Sequence, residues 1–302
     1  MKAENSVREP AVAGQFYESD PERLRLQIEQ MLADGKSASP SCGRYVQAVI
    51  VPHAGYAYSG KTAAKTLKLA GNFEYKRAVV ISPSHSFHFK GLALSSHDAY
   101  RTPLGCIPID KKPLNEILSK KCRWINEMDE VHIPEHSLEV ELPFLQVLFP
   151  ELPIVPIVCG HVDHEIAGDV SEVLYPFMDS KTLWVISSDF THFGRQFGYR
   201  PFTENIPAKL RDLDTGAVKK IIRLDYTGFS DYVEETGATI CGANPIKVLL
   251  KTIEKTSACS GSAFTPELVE YTTSGELTGD YSHTVSYAGI VIYGALCHPN
   301  LT

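Results

Sequence analysis

Three histidines of this chain stand just after short apolar runs that predict buried strands. They lie in the segments PHAGY (52–56), SPSH (82–85) and SSDFTHF (187–193). In open α/β sheets, ligands bind outside the carboxyl ends of the strands. If the three strands are neighbours, His53, His85 and His192 converge on one crevice, as a metal site or an acid–base site requires. One such histidine would more often be structural, but three in one chain favour a functional site.

A carboxylate and a thiol accompany these histidines. Asp189 stands three residues before His192, so its carboxylate could accept a hydrogen bond from the imidazole and fix its tautomer. Asp189 could also ligate a metal directly, or only cap the turn. Cys241 lies in TICG (239–242), just before a predicted helix, and a helix amino terminus lowers the pKa of a thiol. We therefore expect Cys241 to be a ligand or a reactive thiol, with a buried structural thiol as the alternative.

The elements that must position these residues alternate between strand and helix. Short β-branched runs predict buried strands at 46–51, 78–81, 154–158, 183–186 and 290–293. Apolar stripes at helical spacing predict helices at 21–32, around 138–148, and from Asn244 through 253, with Asn244 as cap and Pro245 in the first turn. This alternation is typical of a layered α/β fold, with a mostly parallel or mixed sheet and helices on both faces.

Two segments depart from this pattern. Gly91 to Ser95 could form an antiparallel strand at the edge of the sheet. The stretch from Lys255 to Gly279 is polar and rich in Ser, Thr and Gly, which predicts an exposed loop.

Composition limits the classes of protein and partner. With 302 residues, 43% hydrophobic and 22% charged, the chain reads as an ordinary globular protein. It has no repeat or linker, so we expect one domain over residues 1–302. The net charge of −7, without a Lys/Arg cluster, argues against nucleic-acid and anionic-membrane partners.

The cysteines and the amino terminus indicate the compartment. The first residues lack the apolar core of a signal peptide, and no run is long enough to span a membrane. The seven cysteines are odd in number and contain no CxxC pair, which is typical of reduced thiols. We therefore expect a cytoplasmic protein.

The motifs, taken in order, resemble the Memo family. The family segments PHAGY, PSH, SSDFxH and ICG stand here at 52–56, 83–85, 187–192 and 240–242. The likeness extends to AGQFY (13–17), YRTPL (100–104), EHSLE (135–139) and SYAG (286–289). It implies the fold of the class III extradiol dioxygenases, as a single layered α/β domain.

The resemblance also implies a vestibule lined by His53, His85, Asp189, His192 and Cys241. On this reading His53, His85 and Cys241 hold one transition-metal ion, copper or iron, while Asp189 and His192 serve as catalytic or supporting groups. The related dioxygenases hold ferrous iron with two histidines and a carboxylate. A soft cysteine thiolate in place of a hard carboxylate favours Cu(I) or zinc, which argues against ring-opening chemistry.

Two further residues are candidates for the vestibule. His136, in EHSLE, recurs in the family and is expected to line the same cavity, although a histidine at a helix start is more often structural. Arg195 lies near the vestibule motifs and is the candidate for binding a phosphate. Animal members often have a second histidine directly after PSH, but here Ser86 follows and the next histidine is His88. No role of that second histidine carries over.

Three functions are compatible with these residues. The first is a metal-dependent oxidoreductase, resembling the non-haem dioxygenases, that uses oxygen and a small-molecule substrate. The second is a scaffold that holds a peptide in the vestibule, as animal Memo proteins are held to do with phosphotyrosine segments of receptors in cell-motility signalling. The third is a hydrolase or transferase with Cys241 as nucleophile and His53 or His192 as base. Bound metal would distinguish the first, and fast labelling by an electrophilic thiol probe the third.

Overall fold

The computed structural model of the protein describes residues 6–34 and 43–295. The strands are β1 (Val7–Arg8), β2 (Arg44–Val51), β3 (Arg77–Pro83), β4 (Leu92–Leu94), β5 (Ala99–Thr102), β6 (Gly105–Pro108), β7 (Ile125–Glu127), β8 (Ile154–Cys159), β9 (Thr182–Ser187), β10 (His192–Gly194), β11 (Phe264–Thr273) and β12 (His283–Ala295). The α-helices are α1 (Pro21–Ala33), α2 (Tyr56–Leu67), α3 (Lys111–Ser119), α4 (Asp129–His132), α5 (His136–Glu139), α6 (Leu142–Leu148), α7 (His164–Leu174), α8 (Ile206–Ile222), α9 (Tyr226–Thr236), α10 (Ala243–Ser260) and α11 (Ser274–Thr278).

A large mixed sheet forms the centre of the molecule. Across the described ranges its strand order is β10-β12-β2-β9-β3-β8-β4-β7, and β11 pairs with β12. The neighbours β2, β9, β3 and β8 are parallel, whereas β12 runs antiparallel to β2, β10 and β11. The parallel strands are almost entirely buried, which explains why their sequences are continuous apolar runs rather than alternating ones. A smaller sheet has the order β1-β5-β6.

Helices flank the large sheet. Helix α2 packs against β2 and β12 and is covered by α1, while α10 packs against β3 and β9 and is covered by α7. Helix α1 begins where Asp20 accepts hydrogen bonds from the backbone N–H groups of Glu22 and Arg23, and it buries the stripe Leu24, Ile28, Met31 and Leu32. The predicted layered α/β fold with a mixed sheet is confirmed.

Several local predictions were wrong. The segment predicted as a loop from Lys255 to Gly279 contains the end of α10, the ten-residue strand β11 and the short helix α11. Its polar composition reflects the exposure of β11, which lies on the outside of β12 and buries few side chains fully. Helix α10 begins at Ala243 with Gly242 at its cap, so Asn244 lies inside the helix.

Two other elements differ from expectation in position or continuity. The apolar stripe around 138–148 belongs to two short helices, α5 and α6, because the helix is interrupted at Val140 and Glu141. Strand β4, predicted near Gly91, is antiparallel to β8 as expected, but β7 pairs on its other side, so β4 is not the edge.

Most buried apolar side chains belong to one continuous cluster. The proposal that residues 1–302 form one domain rests on this continuity. Five cysteines lie within the described residues, and all five are free thiols; Cys42 and Cys297 lie outside them. Among the described helices, none combines the length and the apolar character that crossing a membrane requires.

Candidate metal site

The parallel strands β2, β9 and β3 are neighbours, so their carboxyl ends open at the same edge of the sheet. His53 follows β2 by two residues, His85 follows β3 by two residues, and Asp189 follows β9 by two residues. His192 begins β10, which pairs with β12 at the end of the sheet. The local sequence therefore places all four predicted residues at one edge, as strand-end loops do in open α/β sheets.

Three imidazoles come together at this edge. The ring centroids of His53 and His85 are 5.3 Å apart, those of His53 and His136 are 5.7 Å apart, and those of His85 and His136 are 4.6 Å apart. One nitrogen from each ring lies within 4.8 Å of the others, so the three histidines could hold a metal ion. His53 is buried, His136 is partly buried and His85 is exposed, so the cluster runs from the interior to the solvent.

His136 reaches the cluster through α5. The Ser137 hydroxyl oxygen lies 3.1 Å from the carbonyl oxygen of Pro83, so the start of α5 lies beside the end of β3. The Phe16 ring lies 4.8 Å from the His136 ring and covers one side of it. The sequence favoured a structural role for His136, because a histidine at a helix start is more often structural. The sequence feature that pointed to His136 was the EHSLE segment, in which His136 directly follows Glu135 at the start of a helix.

Cys241 lies beside His53, and its Sγ is 3.2 Å from His53 Nε2. The backbone N–H of Asp189 donates to the same sulfur at 3.2 Å. Burial raises the pKa of the Cys241 thiol well above its usual value, and the charge of Asp189 adds to the effect. The predicted lowering of this pKa by the helix amino terminus was wrong, because desolvation of the thiolate outweighs the helix effect.

Asp189 supports the His53 turn rather than His192. Its Oδ1 accepts hydrogen bonds from the backbone N–H groups of His53 at 2.9 Å and Ala54 at 3.3 Å. Burial raises the pKa of Asp189 to about 6, although the charge of His192 and the two backbone bonds favour ionisation. The expected hydrogen bond between His192 and Asp189 is not among the contacts of the described residues. His192 Nδ1 instead lies 3.0 Å from the carbonyl oxygen of Phe190.

Glu135 orients His85, and sequence analysis did not identify it. Its carboxylate accepts hydrogen bonds from the backbone N–H of His85 at 2.6 Å and from His85 Nδ1 at 2.8 Å. It also accepts from the backbone N–H of Ser137 at 3.0 Å and from its hydroxyl at 2.7 Å. Burial acts to raise the pKa of Glu135, but the hydrogen bonds and charge of His85 outweigh it and lower the pKa to about 2. With Nδ1 donating to this carboxylate, Nε2 is the His85 nitrogen left for a metal.

The protonation of the ring nitrogens suits a metal ligand set. Burial and the neighbouring histidines hold the pKa of His53 well below its ordinary value, and burial followed by the charge of His85 lowers that of His136. Metal ligands must be deprotonated, so both rings are neutral and available at neutral pH. The donors present therefore fit a transition metal, which imidazole and thiolate ligands bind well.

His192 contacts the turn after β10, and its charge also acts on His53 and Asp189. The His192 ring is 5.2 Å from the ring of Phe197. Arg195 is exposed in the turn Arg195–Phe197 that follows β10. Of these two residues, Arg195 is the one that faces the solvent.

Residues 8–291 match the family model described as Memo-like protein. The chain belongs to the Memo family. It is similar to the MEMO1 family protein of Methanopyrus kandleri, with 35% identity over 294 residues that cover 94% of this chain and 98% of that protein. It is also similar to the Protein memo-1 homolog of Caenorhabditis elegans, with 32% identity over 302 residues that cover 97% of this chain and 84% of that protein. The resemblance drawn from the ordered motifs is thereby confirmed for this Memo protein.

The chain is also similar to a solved structure, that of an uncharacterized protein from Escherichia coli K12. The match has a TM-score of 0.48 and 12% identity, over 82% of this chain and 99% of that chain.

Proposed function

We propose that this Memo protein binds one transition-metal ion, copper or iron, at the three-histidine cluster and uses it in a redox reaction on a small-molecule substrate. The observation that carries the proposal is the convergence of His53, His85 and His136, with one nitrogen of each ring within 4.8 Å of the others. Hydrogen bonds orient two of these rings before any metal arrives, through Ser187 for His53 and Glu135 for His85. Such preorganisation is typical of metal ligands.

His53 and His85 are the proposed common ligands, and either His136 or Cys241 supplies the third. Three imidazoles suit copper, iron or zinc, whereas two imidazoles with a thiolate favour Cu(I) or zinc. The Cys241 thiol would release its proton on ligation, since only the thiolate is a ligand. A bound copper or iron ion would supply one-electron chemistry with oxygen. Asp189, with a pKa of about 6, and His192 are the proposed groups that hold or move a proton near the substrate.

A cysteine nucleophile is the second candidate, because Cys241 Sγ lies 3.2 Å from His53 Nε2. Nucleophilic catalysis needs the thiolate, which a neighbouring protonated imidazole would stabilise. Here burial raises the pKa of Cys241 and lowers that of His53, so both groups are neutral at pH 7. A neutral thiol argues against nucleophilic attack, whereas the neutral imidazoles remain available to a metal ion. We retain the cytoplasmic location as part of the proposal, on the basis of the free thiols.

Metal content tests the proposal. Protein purified without chelator or affinity-tag metal should contain about one ion per chain, as a single cluster of this kind holds. His53→Ala and His85→Ala should lose most of it while keeping the circular dichroism of the wild type. His164→Ala, at an exposed histidine on α7, is the matched control and should keep its metal. Equal metal content in all four proteins would refute the proposal.

The third ligand is identified by a second set of variants. His136→Ala and Cys241→Ser are compared for Cu(I) and Fe(II) affinity under anaerobic conditions, and the variant with the larger loss marks the ligand. If Cys241 is the ligand, Cys241→Asp should move the preference from Cu(I) toward Fe(II), because a hard oxygen replaces a soft sulfur. An unchanged copper-to-iron preference would show that the sulfur does not contact the metal.

A further inference from the structure

Ser187, the last residue of β9, has three close polar neighbours behind the metal site. Its Oγ lies 2.7 Å from the carbonyl oxygen of Ser137, 2.9 Å from Glu141 Oε1 and 2.7 Å from His53 Nδ1. Ser187, Ser137 and Glu141 are fully buried, and His53 is 2% exposed. No motif singled out Ser187 or Glu141 as functional, and the proposed metal ligands do not include them.

The number of protons decides how these contacts are made. A serine hydroxyl donates one hydrogen bond and accepts up to two. The Ser137 carbonyl can only accept, so the contact at 2.7 Å requires the single proton of Ser187. The other two contacts can then be hydrogen bonds only if Glu141 and His53 are both donors. Any other arrangement leaves two oxygens, or an oxygen and a ring nitrogen, facing each other in the interior without a proton between them, which is costly.

We propose that Ser187 is a positioning residue of the metal site, which holds His53 in the tautomer with hydrogen on Nδ1, and that Glu141 completes this arrangement as a neutral acid. The Nε2 lone pair of His53 then faces Cys241 Sγ, 3.2 Å away, where the thiol hydrogen or a metal ion meets it. Through the Ser137 carbonyl, Ser187 also fixes the backbone next to His136. The functional meaning of this arrangement rests on the proposed metal site.

The surroundings of Glu141 agree with a neutral acid. Its second oxygen, Oε2, is buried and has no hydrogen-bond partner among the described residues. An unpartnered oxygen costs far less on a neutral carboxyl than on a carboxylate. Burial, supported by the charge of Asp189, raises the pKa of Glu141 well above its ordinary value. The hydrogen bond to Ser187 opposes this effect without reversing it.

The tautomer is measured on metal-free protein. Protein with ¹⁵N-labelled histidine gives a long-range ¹H–¹⁵N spectrum in which protonated and bare ring nitrogens have separate shifts, and His53→Gln identifies the His53 signals. We expect a protonated Nδ1 and a bare Nε2 in the wild type. In Ser187→Ala the single tautomer should be lost. An unprotonated His53 Nδ1 in the wild type, or an unchanged His53 tautomer in Ser187→Ala, would overturn the proposal.

The protonation of Glu141 has its own measurement. The infrared difference between wild type and Glu141→Gln should contain the carbonyl band of a protonated carboxyl group at pH 7. Glu141→Gln should keep the His53 tautomer, because its amide can donate to Ser187 in place of the acid. A difference spectrum with only carboxylate bands would overturn the neutral-acid part of the proposal.

Metal affinity separates positioning from general packing. Anaerobic Cu(I) affinity should fall about 10- to 100-fold in Ser187→Ala, the usual effect of losing a partner of a ligand histidine, and should be nearly unchanged in Glu141→Gln. Ser82→Ala is the matched control, since Ser82 lies near the end of the neighbouring strand β3 and its buried hydroxyl has no partner in the described structure. Equal affinity losses in Ser82→Ala and Ser187→Ala would assign the effect to packing.

The tautomer and the infrared band are both read without metal. A protein that bound no metal but had these signatures would refute the proposed function and leave the positioning of His53 intact. A protein that bound metal but had hydrogen on His53 Nε2 would support the proposed function and refute the positioning of His53 by Ser187.

Discussion

Replacing Glu135 by Gln tests whether the metal site depends on its hydrogen-bonded surroundings. Glu135 Oε1 accepts from His85 Nδ1 at 2.8 Å and from both the backbone N–H and the hydroxyl of Ser137, while Oε2 accepts from the backbone N–H of His85 at 2.6 Å. A glutamine keeps one oxygen. In the Oε1 position that oxygen can still accept from His85 Nδ1 and from Ser137. The amide NH₂ then takes the place of Oε2 and faces the backbone N–H of His85, which loses its acceptor.

The expected magnitudes follow from that one lost acceptor. Leaving this partly buried donor unsatisfied costs about 1 kcal/mol in the free energy of unfolding, the lower end of the range for a buried group. The variant also replaces the charged acceptor of His85 Nδ1–H with a neutral amide oxygen and releases the His85 backbone, so the ring that directs Nε2 to the metal is held less firmly. Weakening such a partner of a ligand histidine lowers metal affinity about 10- to 100-fold. We therefore expect Glu135→Gln to fold, to be less stable by this amount, and to bind Cu(I) correspondingly more weakly.

Two assays measure these effects separately. Urea unfolding of metal-free protein gives the loss of stability, and anaerobic competition with a Cu(I) chelator gives the affinity. Glu130→Gln, at an exposed acid on α4, removes the same charge and should change neither quantity appreciably. A normal Cu(I) affinity in Glu135→Gln, together with reduced stability, would refute the role in orienting His85 and leave Glu135 as a helix cap alone.

Three further predictions concern the fold around the site. Burial lowers the pKa of His132 to about 4, against 6.5 for an exposed histidine. Between these pH values the unfolded chain binds more protons than the folded one, so the free energy of unfolding should fall by up to about 3 kcal/mol as the pH drops from 6.5 to 4. His132→Gln should reduce this pH dependence in urea unfolding. Arg8→Met should lower the unfolding free energy by about 3–5 kcal/mol, since it leaves the fully buried Glu139 without its cation. Gly242→Ala should displace the Cys241 turn and weaken Cu(I) binding, because an added Cβ would lie 2.2 Å from the Cβ of Ser188.

Control variants and contradicting outcomes show whether these three effects have the proposed causes. Arg101→Met breaks an exposed pair with Glu9 and should cost no more than about 1 kcal/mol; an equal loss in Arg8→Met would contradict the buried-pair reasoning. Gly168→Ala, at a helical glycine with open space around it, should leave Cu(I) binding unchanged. A His132→Gln variant with the pH dependence of the wild type would show that another group titrates.

The central strands and the loops that follow them could be predicted from local sequence. Strands β2, β3, β8 and β9 are buried on both faces, so each is an uninterrupted apolar run whose end is obvious. Strand β11 could not be found in this way, because its exposed position imposes no apolar pattern. Helix α10 was recognised, but its start was misplaced at Asn244, since a preferred cap residue does not by itself determine where a helix begins.

The sequence by itself determined that His53 and His85 lie at strand ends, because strand period and strand end are local properties of the chain. It also placed Cys241 before a helix. Only the tertiary structure brought His136 into the cluster and Ser187 behind His53, since these contacts join segments that lie far apart in the sequence. The pKa of Cys241 was likewise decided by packing: the helix effect can be read locally, but the desolvation that overrides it depends on everything that surrounds the thiol.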